Sequence, residues 1–265
     1  MNKLMHIYEG GNAIPDSRPV LQQDVKQVVR AAKELLPRPL STATHADIGS
    51  AGYKVQSGDI DIFVDADSVV EFFKTQDSRD PVKDAKQLLK QHFLTQGIQS
   101  VVSGRNVHIG LPYISSVDGR KGLAQVDVMV IPEAGTVAPW HQHGPRGMYA
   151  DPEFKGSELF ILLNSLAKFQ NLKFDAFGAK LMNRETNQVV GRTRKEVARI
   201  LLGPKAKERD VDSVKSIMAA LANDPDREGK LAQARQDASK GLLRLPETIQ
   251  PGTAAWFRDI QDRIQ

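Results

Sequence analysis

Three aspartates and one glycine–serine step are the residues of this 265-residue sequence whose types and spacing could do chemistry. The run Asp59-Ile60-Asp61-Ile62-Phe63-Val64 has the period of a β-strand, with successive side chains on opposite faces. Ile60, Ile62 and Val64 then share a face suited to burial, and Asp59 and Asp61 share the other. Their Cα atoms should lie roughly 6.6 Å apart, twice the rise per residue. Two carboxylates at that spacing suit hard divalent cations, which take oxygen ligands and often substrate phosphates as well. The run Gln125-Val126-Asp127-Val128-Met129-Val130 repeats the pattern, with Asp127 on the polar face. If the two strands are neighbours, Asp59, Asp61 and Asp127 form a site for two Mg²⁺ ions, with Mn²⁺ as a substitute. Such a pair activates an attacking oxygen and stabilises a leaving pyrophosphate. Acidic residues on a solvent-facing strand are the plain alternative. Gly49-Ser50, ten to twelve residues upstream, tips the balance. A Gly-Ser turn that opens a helix leaves backbone N–H groups free for phosphate, and glycine lets that backbone come close.

These residues need a scaffold, and the pattern predicts a mixed one. Apolar residues at helical spacing predict a helix over Leu21–Leu36, ended by Pro37 and Pro39. Strands are expected at Asp59–Val64, Ser100–Val102, Asn106–Leu111 and Gln125–Ile131, and a helix at Asp84–Gln96. Asp118-Gly119 is a turn signal. Glu133–Pro152 is rich in Gly, Pro and His, has no period, and is predicted to be a loop. Beyond it the pattern turns helical: Ser157–Phe169, Arg194–Leu202, Val211–Ala222, Arg227–Leu243 and Thr253–Ile264. The expected fold class is α+β. Its division is an N-terminal arm (1–20), a mixed domain (21–150), a smaller following domain (151–210) and a helical extension (211–265).

Composition excludes little and permits one partner class. There is no cysteine, so neither a disulfide framework nor a thiolate zinc site is possible. No apolar stretch approaches the roughly 20 residues of a membrane span, so a cytoplasmic chain without membrane contact is expected. The net charge of +4 is mild, but residues 180–209 hold nine Lys/Arg against three Glu. Arg192, Arg194, Lys195, Arg199, Lys205, Lys207 and Arg209 could track a phosphate backbone; a solvated helix face, partly paired by Glu196 and Glu208, is the alternative. Trp140, Tyr149 and Phe154 could stack on bases or serve as packing, and Trp256 and Phe257 fit a core. His141-Gln142-His143 has the spacing of a metal pair but falls in the expected loop. His108 alternates with Val107 and Ile109 and could face solvent or a neighbour, and Arg105 sits on a turn.

Taken together, Ile48-Gly49-Ser50 and Ser57-Gly58-Asp59-Ile60-Asp61-Ile62 resemble the signature of the polymerase-β-like nucleotidyltransferase superfamily. Gln125 to Pro132 resembles the strand that carries its third carboxylate. Within the superfamily the sequence is most similar to the family X DNA polymerases. Phe154-Lys155-Gly156-Ser157-Glu158-Leu159-Phe160 resembles the start of their thumb, and Phe174-Asp175-Ala176-Phe177-Gly178 with Arg194–Leu202 resembles a degraded later thumb. Tyr8-Glu9-Gly10-Gly11-Asn12 also looks like nucleotidyltransferase-like proteins of tailed phages, which implies a host-cytoplasm setting. The resemblance covers roughly Leu21 to Leu202. It implies a palm with a mixed sheet and helices on one face, followed by a mainly helical region. It also implies transfer of a nucleoside monophosphate from an NTP or dNTP to an acceptor hydroxyl, releasing pyrophosphate. In that scheme Asp59 and Asp61 hold both ions and Asp127 the catalytic one. Gly49, Ser50 and Lys54 hold the triphosphate, and Phe154, Gly156 and Ser157 border the nucleotide.

The sequence departs from the family at telling positions. The triphosphate-gripping Arg pair is absent from Ala51-Gly52-Tyr53-Lys54, where Lys54 is the substitute, and the spacer is one residue shorter. The Arg before the third carboxylate is Gln125. The base-reading Asn is Ile161, and the template-contacting Arg is Ser165. These departures speak against template reading. The expected acceptor is nucleic acid; a protein or small-molecule acceptor, or a non-catalytic binding relative of the fold, are the alternatives.

Overall fold

The computed structural model describes residues 13–141 and 156–239, apart from Ser50 and Tyr53. The chain divides into two compact units, Met1–Ala138 and Pro139–Gln265. In chain order the first holds β1 (Val20–Leu21), α1 (Val25–Leu35), α2 (Arg38–Thr42), β2 (His45–Ile48), β3 (Gln56–Ser57), β4 (Ile60–Asp65), α3 (Ala66–Phe73), α4 (Pro81–Thr95), β5 (Gln99–Ser103), β6 (Asn106–Ile114) and β7 (Lys121–Ile131). Helix α5 (Ala134–His141) carries the chain into the second unit.

The fold is α+β, and the first unit is built on a five-stranded mixed sheet of order β2-β4-β7-β6-β5. Strands β4 and β7 run parallel, and the other pairings are antiparallel. A parallel pair needs a crossover connection, which helices α3 and α4 with the β5–β6 hairpin supply. The alternation of the sequence decides the two faces. Ile60, Ile62 and Val64 of β4 are fully buried, as are Val126 and Val128 of β7. They join Val28 and Ala32 of α1, Val69 of α3, and Leu89 and Phe93 of α4 in one core. The helices therefore cover the valine–isoleucine face. The opposite face carries Asp61, His108, Gln125 and Asp127.

The arm before α1 lies against this sheet rather than apart from it. Strand β4 pairs with β7 only from Val126 onward. Upstream of that point Ser17 bridges Leu123, and the Arg18 N–H donates to the Leu123 carbonyl at 2.8 Å. The arm then enters β1, which pairs antiparallel with β3.

Several element boundaries differ from the sequence expectation. The first helix starts at Val25, after a short 3-10 turn over Gln22–Asp24. Strand β4 starts at Ile60, not Asp59, because its ladder to β7 begins there. Helix α4 starts at Pro81 behind an Asp80 cap that accepts from the Lys83 N–H, and β6 and β7 are longer than expected. Helices α2 and α3 were not anticipated. The predicted loop after Glu133 instead begins with α5. Ala134, Val137, Ala138 and Trp140 are buried at helical spacing, and Gly135 and Pro139 mask that period in the sequence.

The second unit holds α6 (Gly156–Phe169), β8 (Leu172–Asp175), β9 (Lys180–Asn183), β10 (Val189–Gly191), α7 (Arg194–Leu202), α8 (Val214–Leu221) and α9 (Arg227–Ser239). The three strands form an antiparallel meander of order β10-β9-β8, which the helical pattern of this half of the sequence does not predict. Helix α7 opens on a capping box, with Thr193 and Glu196 satisfying each other's backbone N–H groups. Helix α9 stops at Ser239 within the described residues, and the expected helix at Thr253–Ile264 lies outside them. Among the described residues no helix is long and apolar enough to cross a membrane.

Candidate functional site

Register sets two of the three aspartates opposite each other. In the parallel ladder Asp61 sits directly opposite Asp127, on strands that lie about 4.8 Å apart. Ile48, the last residue of β2, is the antiparallel partner of Asp61 on its other side. Asp59 precedes β4 by one residue and is half-buried. Gly49 follows β2 with φ +68°, and a Cβ there would come within 2.8 Å of Asp61 Oδ2. The glycine is therefore required twice, for its left-handed backbone and for the approach of the carboxylate. The Gly49 turn therefore lies against the Asp61 carboxylate.

The electrostatics of that site are unfavourable without a partner. The Asp61 carboxyl is pushed up to about 8, first by burial, then by the charges of Asp59 and of Asp127. A divalent cation between these carboxylates would offset the repulsion from Asp59 and Asp127 that adds to the effect of burial on Asp61. Among the described residues, however, no three His, Asp or Glu side chains form a ready-made metal cluster.

Asp127 is only 5% exposed, and its oxygens are turned to protein donors. Oδ1 accepts from His108 Nδ1 at 2.7 Å and from Gln125 Nε2 at 2.9 Å, and Oδ2 accepts from Asn106 Nδ2 at 3.2 Å. The other ring nitrogen of His108, Nε2, lies 2.8 Å from Ser103 Oγ, so the ring is held at both nitrogens. His108 is the cross-strand partner of Asp127, and Asn106 is two residues along on the same face. Sequence reading left His108 open between solvent and a neighbour, and missed Asn106 altogether. The signal was present: a hairpin turning near Asp118-Gly119 places residue 108 opposite 127.

The remaining expected site residues fall out as follows. Lys54 is exposed on the loop between Gly49 and β3. Ser50 and Phe154 lie outside the described residues. Gly156 and Ser157 open α6 in the second unit. Arg192 and Lys195 are exposed at the start of α7. Arg194 is a correction: its side chain is 9% exposed, pairs with Asp212 at 3.1 Å, and lies 5.6 Å from the Trp140 ring centroid. It faces inward because position 194 shares the buried face of α7 with Val197, Ala198 and Leu201. Trp140 is packing, since it is 2% exposed and sits against Phe174.

Two further positions are explained by the second unit alone. Ser165 is buried and donates to the Asp237 carboxylate of α9, which also pairs with Lys168 at 2.7 Å. His141 is engaged within the second unit. Its ring packs on Phe160 and Phe177, and Nε2–H donates to the Ala176 carbonyl at 2.9 Å. His143 and Tyr149 lie outside the described residues.

No family model matches the sequence, and no curated protein matches it. The structure is similar to two solved structures of Leishmania infantum polymerase beta. For the ternary P/T complex the TM-score is 0.47 at 13% identity, over 74% of this chain and 77% of that one. For the ternary gap complex the TM-score is 0.46 at 14% identity, over 74% of this chain and 71% of that one. A likeness at that level concerns the fold and carries no argument about chemistry. What the site can do rests on Asp59, Asp61, Asp127 and Gly49.

Proposed function

We propose that the chain is a Mg²⁺-dependent nucleotidyltransferase. One observation carries the reading: Asp61 and Asp127 stand opposite each other on adjacent parallel strands, with Gly49 closed against Asp61. Asp59, Asp61 and Asp127 would hold the ions, Mn²⁺ substituting, and bound ions would neutralise charge on the triphosphate and the leaving group. Gly49, Ser50 and Lys54 would grip the triphosphate, and Phe154, Gly156 and Ser157 would border the nucleotide. In the reaction an acceptor hydroxyl oxygen bonds to the α-phosphorus of an NTP or dNTP. The bond from that phosphorus to its β-bridging oxygen breaks, pyrophosphate leaves, and the hydroxyl proton passes to solvent. Catalysis of this kind is positioning and charge neutralisation.

Nucleic acid is the proposed acceptor. Arg192, Lys195, Arg199, Lys205, Lys207 and Arg209 are all exposed, which supports contact with a phosphate backbone. Template reading is not part of the proposal, since Ile161 and Ser165 offer no base-reading or template-gripping group and Ser165 is committed to Asp237. The cysteine-free composition suits a cytoplasmic setting, in a host if the chain is phage-encoded. The test is transfer of label from α-labelled NTPs and dNTPs with Mg²⁺ and a panel of nucleic-acid, protein and small-molecule acceptors. Transfer should vanish in Asp59→Ala plus Asp61→Ala, and transfer that survives this double substitution overturns the assignment.

A second reading, a non-catalytic relative that binds nucleotide, is favoured by the three protein donors already on Asp127. Calorimetric binding of Mg²⁺–nucleotide with no transfer to any acceptor would select it.

A further inference from the structure

The arm and the third carboxylate share a single buried amide. Gln125 is 2% exposed and lies on the same face of β7 as Asp127. Its Oε1 accepts from the backbone N–H groups of Ala13 at 3.0 Å and Ile14 at 3.1 Å. Its Nε2 donates to Asp127 Oδ1 at 2.9 Å. We propose that Gln125 is a positioning residue through which the N-terminal arm fixes the orientation of Asp127. The consequence for catalysis rests on the nucleotidyl-transfer reading above; the coupling itself does not.

The chemistry of an amide makes the coupling directional. Oxygen only accepts and the amide nitrogen only donates. With two arm N–H groups aimed at one end, that end must be the oxygen, so the donor end must face Asp127. The reversed amide would set donor against donors and oxygen against carboxylate. Release of the arm removes the reason for the present orientation and leaves Oε1 without either partner, a penalty large enough to reorganise the site.

Asp127 transmits the orientation. A carboxylate has about four acceptor positions. Gln125 and His108 fill Oδ1, and Asn106 takes one position on Oδ2. The capacity left for an outside ligand is on Oδ2, and Gln125 helps decide that it is this oxygen. The arm is well anchored for the role. Ile14 is 2% exposed, and Gly110 makes room for it, since a Cβ there would meet Ile14 Cγ2 at 2.8 Å. Further along, the Gln22 N–H donates to the Val55 carbonyl and Gln22 Nε2 to the Gly52 carbonyl. The same segment therefore also braces the loop that follows Gly49.

The experiment loosens the arm without touching the carboxylates. Full-length wild type, Ile14→Ala, the milder Ile14→Val, Gln125→Met and the Ile14→Ala/Gln125→Met double variant are compared. The first readout is the side-chain carboxyl ¹³C resonance of Asp127, followed beside amide exchange of Ala13 and residue 14. The second is kcat and nucleotide KM for transfer. Loosening the arm should move the Asp127 resonance and lower kcat about tenfold, as for a misplaced group, with KM unchanged. The double variant should be no slower than Gln125→Met alone, because both act through one amide. An Asp127 resonance that stays put in Ile14→Ala while the arm amides exchange freely overturns the proposal, as do additive losses in kcat. Should Ile14→Ala fail to fold, Ile14→Val carries the same comparison. If the wild type transfers no nucleotide, the functional reading fails, and the resonance alone decides the coupling.

Discussion

Burial of His141 should make the second unit sensitive to mild acid. The ring is 6% exposed, lies 4.6 Å from the Phe160 centroid and 5.0 Å from that of Phe177, and donates from Nε2 to the Ala176 carbonyl. Burial pulls its pKa down to about 4 from 6.5, against a smaller opposing effect of the Ala176 hydrogen bond. Between those values the unfolded chain binds a proton that the folded one refuses. Stability is therefore intact above pH 6.5, falls as the pH drops, and has lost this contribution fully below about pH 4. At about 1.4 kcal/mol for each tenfold difference in proton affinity, the loss is about 3 kcal/mol. The perturbation is His141→Phe, which keeps an aromatic ring between its neighbours but cannot titrate. It forfeits the bond to Ala176, at a cost of about 1 kcal/mol near neutrality. Urea unfolding at pH 7, 6, 5 and 4, followed by tryptophan fluorescence, should show the variant less stable at pH 7 and more stable at pH 4. Parallel profiles for the two proteins refute the reasoning, and so does a His141 ring resonance that titrates near 6.5.

Three other outcomes follow from single contacts. Gly49→Ala forces a side chain into a left-handed backbone, which costs about 1–2 kcal/mol, and drives a methyl onto Asp61 Oδ2; thermal unfolding and Mn²⁺ affinity should both fall. Asp61→Asn removes a carboxyl held at about 8 by burial and by Asp59 and Asp127. A carboxyl raised in this way lends stability below its unfolded value near 4 and withdraws it as the pH rises through 8. Without divalent ions the wild-type melting temperature should therefore decline from pH 5 to 9, and the Asn variant should decline less. Asp212→Ala strands the buried Arg194 charge. Breaking a fully buried pair costs 3–5 kcal/mol, and with Asp212 partly exposed about 2 kcal/mol is expected in chemical denaturation.

The first unit was legible where alternation and chemistry agreed. Ile60, Ile62, Val64, Val126 and Val128 announced both strands and their buried face, and the aspartates between them announced the site. Long-range register was not legible, because nothing local specifies that Asp61 pairs with Asp127 rather than with a neighbour two residues away. Helix α3 was missed because it follows β4 with no loop, and Asp65, which reads as one more acid on the strand, is its cap. The inward turn of Arg194 was missed because a run of cations reads as surface unless the helical phase is followed: Val197 and Leu201, at i+3 and i+7, mark position 194 as interior. Gln125 read as a loss relative to the family pattern, since its second partner lies in an arm more than a hundred residues earlier.

That separation has a consequence for how the protein comes into being. The bond from Ala13 to Gln125 spans 112 positions, so the arm leaves the ribosome long before its dock exists. For most of synthesis Ile14 and its neighbours have no partner, and β7 is the strand that finally receives them. Contacts so distant along the chain are closed late and slowly. The carboxylate site should therefore be among the last parts of the first unit to acquire its native geometry, and a bulky fusion at the N-terminus should delay that step more than one attached at the other end.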